Sequence, residues 1–403
     1  MQRMKNLLRY LLPVLRYGLC LLAIILLVRL VPWYDRVTLN DPNHTKARLI
    51  AEHDDTNTYE IEVDGRPITV QESDIAGADK GLPEIEYSIV TTVRKLDPTQ
   101  AILSILLFLP VPLLAALRLV WMLRIQNVVL PYWHSVRLTF AGNFFNFALP
   151  GTTGGDVLKA YWITHLTHHK TEAVTTVFID RVIGLLGLVF LATVMFLISL
   201  RELPWNVQLL GSVSTLLITI WVGLFVGSIF VFSKRLRNLI RLPQLAARLP
   251  AGEQFLRIGR ATVAIRSHKG LIAMSLLNTV VLQLLFVISA YYMARALGMK
   301  GHAALFLMSV PIGYLIVAIP ITPPQGFGVL EYAFVQFFTP GHLNTISQAV
   351  TFALATRVIQ LIWALPGVLV PLLGLHVPKK AELEDLQHDD PADAPAGAPP
   401  DSN

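Results

Sequence analysis

Carboxylates are scarce over most of this 403-residue chain, and cysteine is all but missing. The lone Cys20 excludes a disulfide framework and any cysteine-based metal site. Charged residues make up 15% of the chain, where soluble domains carry about 25%, and 54% of it is hydrophobic, so a single soluble core is excluded. No Ser/His/Asp set, P-loop or Walker-type motif is present, which leaves ATP-driven pumping by this chain alone without support.

The formal charge of +6 hides a segregation. Residues 33–97 hold 7 Lys/Arg against 14 Asp/Glu, and residues 377–403 hold 2 against 7. The other 311 residues carry 24 basic side chains and just six acids: Asp156, Glu172, Asp180, Glu202, Glu253 and Glu331. Cations that flank long apolar runs, with so few acids among them, describe a multi-pass membrane protein whose basic loops face one side. They form no stripe on a soluble domain, so no nucleic-acid partner is expected.

What is there is apolar length. Runs at 11–32, 99–123, 173–200, 207–232, 270–297 and 346–375 are each long enough for a hydrocarbon core of about 30 Å, which gives about six transmembrane spans. The first is too long for a signal-peptide core and is read as an anchor. Residues 233–269 carry nine Lys/Arg against Glu253 alone and are placed in the cytoplasm. Threading from there puts both termini inside and the acidic 33–97 segment outside. Within that segment, alternation from Tyr59 to Val70 around Asp64-Gly65 predicts a β-hairpin, hence a small β-containing extracytoplasmic insert. The division expected is 1–32, cytoplasmic N-terminus and first helix; 33–97, insert; 98–376, transmembrane domain; and 377–403, a disordered cytoplasmic tail.

Two apolar stretches are interrupted, by Pro150-Gly-Thr-Thr-Gly154-Gly155-Asp156 and by Thr322-Pro-Pro-Gln325-Gly326-Phe-Gly328. With six spans, each must enter and leave on the same face. This predicts two oppositely oriented re-entrant helical hairpins, 137–165 and 303–339, in an otherwise all-α polytopic fold; irregular backbone at membrane depth is tolerable only where it is buried or lines a cavity. Proline and glycine kinks inside ordinary helices are the alternative. Pro150 followed by Val-Leu-Lys159 resembles Pro320 followed by Val-Leu-Glu331, and broken helices at matching places point to a transporter site near the midplane.

Arg118-Leu-Val-Trp-Met-Leu-Arg124, Gly142-Asn143-Phe-Phe-Asn146, the Pro150 to Tyr161 block, Asp180-Arg181-Val-Ile-Gly184 and Gly326-Phe-Gly328-Val-Leu-Glu331 together resemble the transmembrane region of the lysylphosphatidylglycerol synthase/flippase family, in order from about residue 99 to 375. The synthase members carry a soluble aminoacyl-transferase domain where this chain has its acidic tail, so lysyl transfer is not implied. The resemblance implies a flippase-like protein of the bacterial plasma (inner) membrane that moves phospholipids or polyprenyl-linked cargo.

A charge in a span costs about 2.5–3.5 kcal/mol on insertion scales, which makes such residues functional candidates. Arg357 lies about 16 Å along a helix that starts at Ile346, near mid-depth. Asp180 and Arg181 point in different directions; snorkelling near the cytoplasmic face is their alternative. Asp156 and Glu331 either cap their helices or join the site. The helix opening after Gly154-Gly155 offers free N–H groups to a phosphate, with Lys159, Arg181 and Arg357 as cations and Asp156, Asp180 and Glu331 as orienting acids. Asn143, Asn146, Gly326 and Gly328 complete the expected substrate-binding set. No cofactor, metal or catalytic residue is expected: His165-x-x-His168-His169 sits in a basic loop, where contact with headgroups outweighs metal binding. The rivals to transport are a scaffold for an envelope-lipid synthase and a membrane-embedded lipid-modifying enzyme.

Overall fold

A carboxylate and a proline set where the helical part of the chain begins. Asp97 accepts hydrogen bonds from the Thr99 and Gln100 amides, and Pro98 supplies a pre-set φ at the first helical position. The computed structural model describes residues 33–41, 45–53, 58–63, 65–76, 85–148, 154–167, 170–202, 207–232, 269–318, 324–340 and 343–372, with 18, 25 and 29 as isolated helical positions. The first apolar run, the basic 233–268 segment and the acidic tail lie outside the described residues, so the span expected at 11–32 does too.

Before Asp97 the chain forms a five-stranded antiparallel sheet: β1 Arg36–Thr38, β2 Lys46–His53, β3 Thr58–Val63, β4 Arg66–Gln71 and β5 Ile85–Glu86, in the spatial order β4-β3-β2-β1-β5. β3 and β4 make the hairpin expected from the alternation, paired from Thr58 with Gln71 to Val63 with Arg66, and Gly65 takes φ +77° in the turn. Ala47 and Leu49 of β2 join Val37, Tyr59, Ile61 and Ile75 in a small core, while Lys46 and Arg48 face out. Asp35 ties this sheet to α1 (Ile89–Arg94) by accepting from the Ser88 amide (2.6 Å) and the Thr91 hydroxyl (2.8 Å). Lys95 donates to Glu52 (2.6 Å) and lies over the Tyr87 ring. Burial opposes the Lys95 ammonium, yet its bonds to Glu52 and Tyr87 hold its pKa above the usual lysine value.

The rest is helical: α2 Pro98–Phe108, α3 Pro110–Ile125, α4 Tyr132–Ala148, α5 Gly154–Leu166, α6 Lys170–Glu202, α7 Val207–Phe232, α8 Lys269–Ala296, α9 Ala303–Val317, α10 Val329–Phe338 and α11 Ile346–Ala364. Among the described residues, five helical stretches are long and apolar enough to cross a membrane: Pro98–Ile125, Glu172–Arg201, Leu209–Gly227, Gly270–Ala296 and Ile346–Val368. They coincide with the second to sixth apolar runs of the sequence. The run at 99–123 is α2 and α3 in line, separated at Leu109 where Pro110 removes an amide donor. Leu277, Phe225 and Ile218 are 66%, 65% and 62% exposed, a surface that hydrocarbon accepts and water would not.

Small residues bring the helices together. Ser104 of α2 and Ser289 of α8 donate to each other's carbonyl oxygens, at 2.6 and 2.8 Å. Gly187 of α6 faces Thr279 of α8 so closely that a Cβ would lie 2.2 Å from the threonine methyl. Phe306, Phe334, Phe338 and Phe352 pack together from α9, α10 and α11, with stacked pairs at 4.9 and 5.1 Å.

α4 packs on α5, and α9 packs on α10. These four helices have 17, 13, 15 and 10 residues, all short of the roughly 20 that a span needs. The links that break them, residues 149–153 and 319–323, lie outside the described residues.

Candidate functional site

The first broken segment is built on missing side chains. A Cβ on Gly155 would sit 1.7 Å from the Gly142 carbonyl oxygen, so α4 and α5 meet backbone to backbone. Asn146 uses this proximity: its Oδ1 accepts from the Gly155 amide at 2.9 Å, satisfying one of the donors that a helix start leaves open. Lys159, one turn further along α5, runs under Gly142, where a Cβ would lie 2.8 Å from its Cε. It is buried, with its ammonium 3.7 Å from Asp156. Arg181 reaches in from α6 to the other oxygen of Asp156. Gly155→Ala is expected to lower stability by about 1–3 kcal/mol through forced separation of the two helices. A denaturant-unfolding midpoint equal to that of the unmodified protein would show that α4 and α5 can part without cost.

The second broken segment is built on backbone turns. Gln325, Gly326 and Gly328 have φ of +55°, +64° and +81°, and Gln325 is one of two non-glycine residues with positive φ among those described. This loop is held from α11. Arg357 puts its two-pronged face on Glu331, donates from Nη2 to the Gly326 carbonyl (3.0 Å) and from Nε to the Gln325 carbonyl (3.3 Å), and stacks on Phe327 (4.5 Å). Glu331 is 0% exposed and also accepts from the Gly328 amide at 2.8 Å. It therefore caps α10 and pairs with Arg357.

The two halves correspond, by a register other than the sequence one. Asp156 is the third residue of α5 and Glu331 the third of α10. Each meets an arginine on the next long helix, Asp156 with Arg181 25 residues on and Glu331 with Arg357 26 residues on. Helix position matches Asp156 with Glu331; the Val-Leu pattern had matched Lys159.

The halves also touch. The Gln325 side-chain amide donates to the Asn146 carbonyl, which joins the second loop to the end of α4. Beside this contact lies a cavity of about 300 Å³. Arg181 and Arg357 line it, with the amides of Asn143, Asn146, Gln325 and Gln360 and the phenol of Tyr314. Tyr314 donates to Thr356 (3.1 Å) and accepts from Gln360 (2.6 Å). Phe108, Pro112, Phe147, Val317, Ala318 and Trp363 complete the wall.

Asp180 belongs elsewhere. It takes both Nε and Nη2 of Arg118 (2.7 and 3.1 Å), and the remaining prong of that arginine donates to Thr279 at 3.0 Å, with the guanidinium against Gly184. Of the residues named from sequence, Asn143, Asn146, Arg181 and Arg357 line the cavity. Gly155 donates to Asn146, Asp156 pairs with Arg181 and also meets Lys159, Glu331 pairs with Arg357 and accepts from Gly328, the Gly326 carbonyl accepts from Arg357, and Gly154 opens α5. Sequence reasoning missed Arg118, Tyr314, Gln325 and Gln360 as functional candidates. Arg118 carried a signal, a charge inside an apolar run. His165 is hydrogen-bonded to the Tyr161 carbonyl at 2.9 Å, and His168 and His169 lie outside the described residues. Among the described residues no group of three His, Cys, Asp or Glu could hold a metal ion.

A family model described as the lysylphosphatidylglycerol synthase TM region matches residues 88–367, from the N-cap of α1 to the end of the α11 span. No curated protein matches the chain.

Proposed function

Since the chain belongs to the lysylphosphatidylglycerol synthase transmembrane-region family, and is thus a multi-pass membrane protein related to lipid, we propose that it moves a phosphate-bearing lipid between leaflets. The observation that carries this reading is the wall of the cavity: two arginines, each backed by a carboxylate from a broken segment, face a space shared by both halves. A phosphodiester drawn from the interface into hydrocarbon loses its hydration, and fixed cations and amides replace part of it. The apolar side of the wall suits the start of the acyl chains.

Four helices too short to span support two re-entrant hairpins of opposite direction, with the site at their junction. Positive-inside asymmetry supports cytoplasmic termini and an outward sheet, and the resemblance to the family supports a bacterial inner membrane as the location. The reading assigns transport to this chain and no catalytic step.

Purified protein reconstituted in vesicles is expected to speed the redistribution of a labelled phospholipid between leaflets. Redistribution no faster than in protein-free vesicles would remove transport and leave the scaffold for an envelope-lipid synthase in its place.

A further inference from the structure

The carboxylates paired with arginines in the membrane domain, Asp156, Asp180 and Glu331, are as informative as the arginines, because none of the three lines the cavity. Asp156 lies between Arg181 and Lys159, Glu331 is fully buried on Arg357 and the Gly328 amide, and Asp180 is held by Arg118. Among the described residues no Asp or Glu lines the cavity. The two breaks, 149–153 and 319–323, contain none in their sequence either.

Resting on the transport reading above, we propose that the cargo headgroup is anionic as a whole, a phosphodiester bearing hydroxyl groups, and that the cavity rejects headgroups carrying an added ammonium. An ammonium brought beside the phosphate would meet a wall whose balance is positive, since Arg181 and Lys159 share the one carboxylate of Asp156 while Glu331 only cancels Arg357, and like charges there repel. The rest of the polar wall suits hydroxyls. Asn143, Asn146, Gln325 and Gln360 line the cavity with side-chain amides, and the protein contacts of Asn146, Gln325 and Gln360 each use one hydrogen or lone pair, so amide groups carry further donor and acceptor capacity that suits a polyol, whereas an ammonium is a donor only. The selection works against the aminoacylated lipid for which the family is described: esterifying phosphatidylglycerol with lysine turns a net charge of −1 into +1.

The test compares these two lipids. Unmodified protein in phosphatidylcholine vesicles, with a trace of tagged phosphatidylglycerol or tagged lysylphosphatidylglycerol, is expected to move the first at least about tenfold faster. Gln360→Glu puts a carboxylate into the wall at unchanged size, to which Tyr314 can donate by turning its hydroxyl from Thr356, and is expected to narrow or invert the preference. Equal rates, or faster lysylphosphatidylglycerol, overturn the charge selection and leave transport standing. A preference that Gln360→Glu does not move also overturns it, by placing the selection outside this cavity. If neither lipid moves, transport fails, and charge selection is decided by binding. Short-chain phosphatidylglycerol alone raising the melting temperature of the detergent-solubilised protein upholds the selection, and a rise with both short-chain lipids or with neither overturns it.

Discussion

Arg357→Leu is expected to destabilise the protein by about 3–5 kcal/mol, and Arg357→Leu with Glu331→Leu to recover most of that loss. Insertion scales alone predict the reverse, since a leucine enters hydrocarbon more readily than an arginine. The difference is Glu331, which has no exposure and would remain as a buried carboxylate with one backbone amide for company. Arg357 also gathers the carbonyls of Gln325 and Gly326, so its loss frees a loop with three residues at positive φ. Arg357→Lys keeps the charge but loses the fork and the stack on Phe327, and should fall between the two. Unfolding in mixed detergent, read by tryptophan fluorescence, measures all three variants. A single Arg357→Leu variant as stable as the unmodified protein would mean that Glu331 is protonated or solvated, and the clamp would lose its meaning.

Arg181→Gln is expected to do the opposite: little change in stability, within about 1 kcal/mol, and a loss of transport of about ten- to a hundredfold. The Arg181 side chain is 32% exposed, at the cavity, and Asp156 retains Lys159 at 3.7 Å when Arg181 is removed. The carboxylate is not orphaned. The Arg357 side chain is 7% exposed, so Arg181 is the cation that a phosphate in the cavity reaches more readily. Initial rates of leaflet redistribution against a matched protein density decide the matter. A rate equal to that of the unmodified protein would show that cargo does not meet Arg181.

Much of the architecture was legible because bilayer thickness writes itself into apolar run length, and five helices fall where the runs are. The β3–β4 hairpin was legible for a similar reason, since a two-residue period around Asp64-Gly65 allows few other structures. β1 and β2 were not, because strands such as Arg36–Thr38 are too short to show a period and Lys46–His53 is broken by a bulge between Leu49 and Ala51. The site was half legible. Charges in apolar runs announced Asp156, Arg181, Glu331 and Arg357, but not how they pair. Asp180 finds Arg118 across 62 residues, a contact that only helix packing creates. Val-Leu-Lys159 and Val-Leu-Glu331 matched as strings, whereas equivalence in three dimensions follows distance from the helix start. Gln360 and Tyr314 gave no signal, since an amide or phenol in a long apolar helix has no period of its own.

The 62-residue separation of Arg118 and Asp180 is also an interval of time. A ribosome adding about 5–20 residues per second takes several seconds to cover it, and α3 meets the membrane first. Arg118 must wait there without its carboxylate, sheltered by the apolarity of α2 and α3 and by the reach of its own side chain toward the interface. In both other pairs the acid is made first, Asp156 before Arg181 and Glu331 before Arg357. An acid that is made early can wait as a neutral carboxyl, but a guanidinium cannot shed its charge, so Arg118 is the one of these three arginines whose carboxylate is synthesised after it.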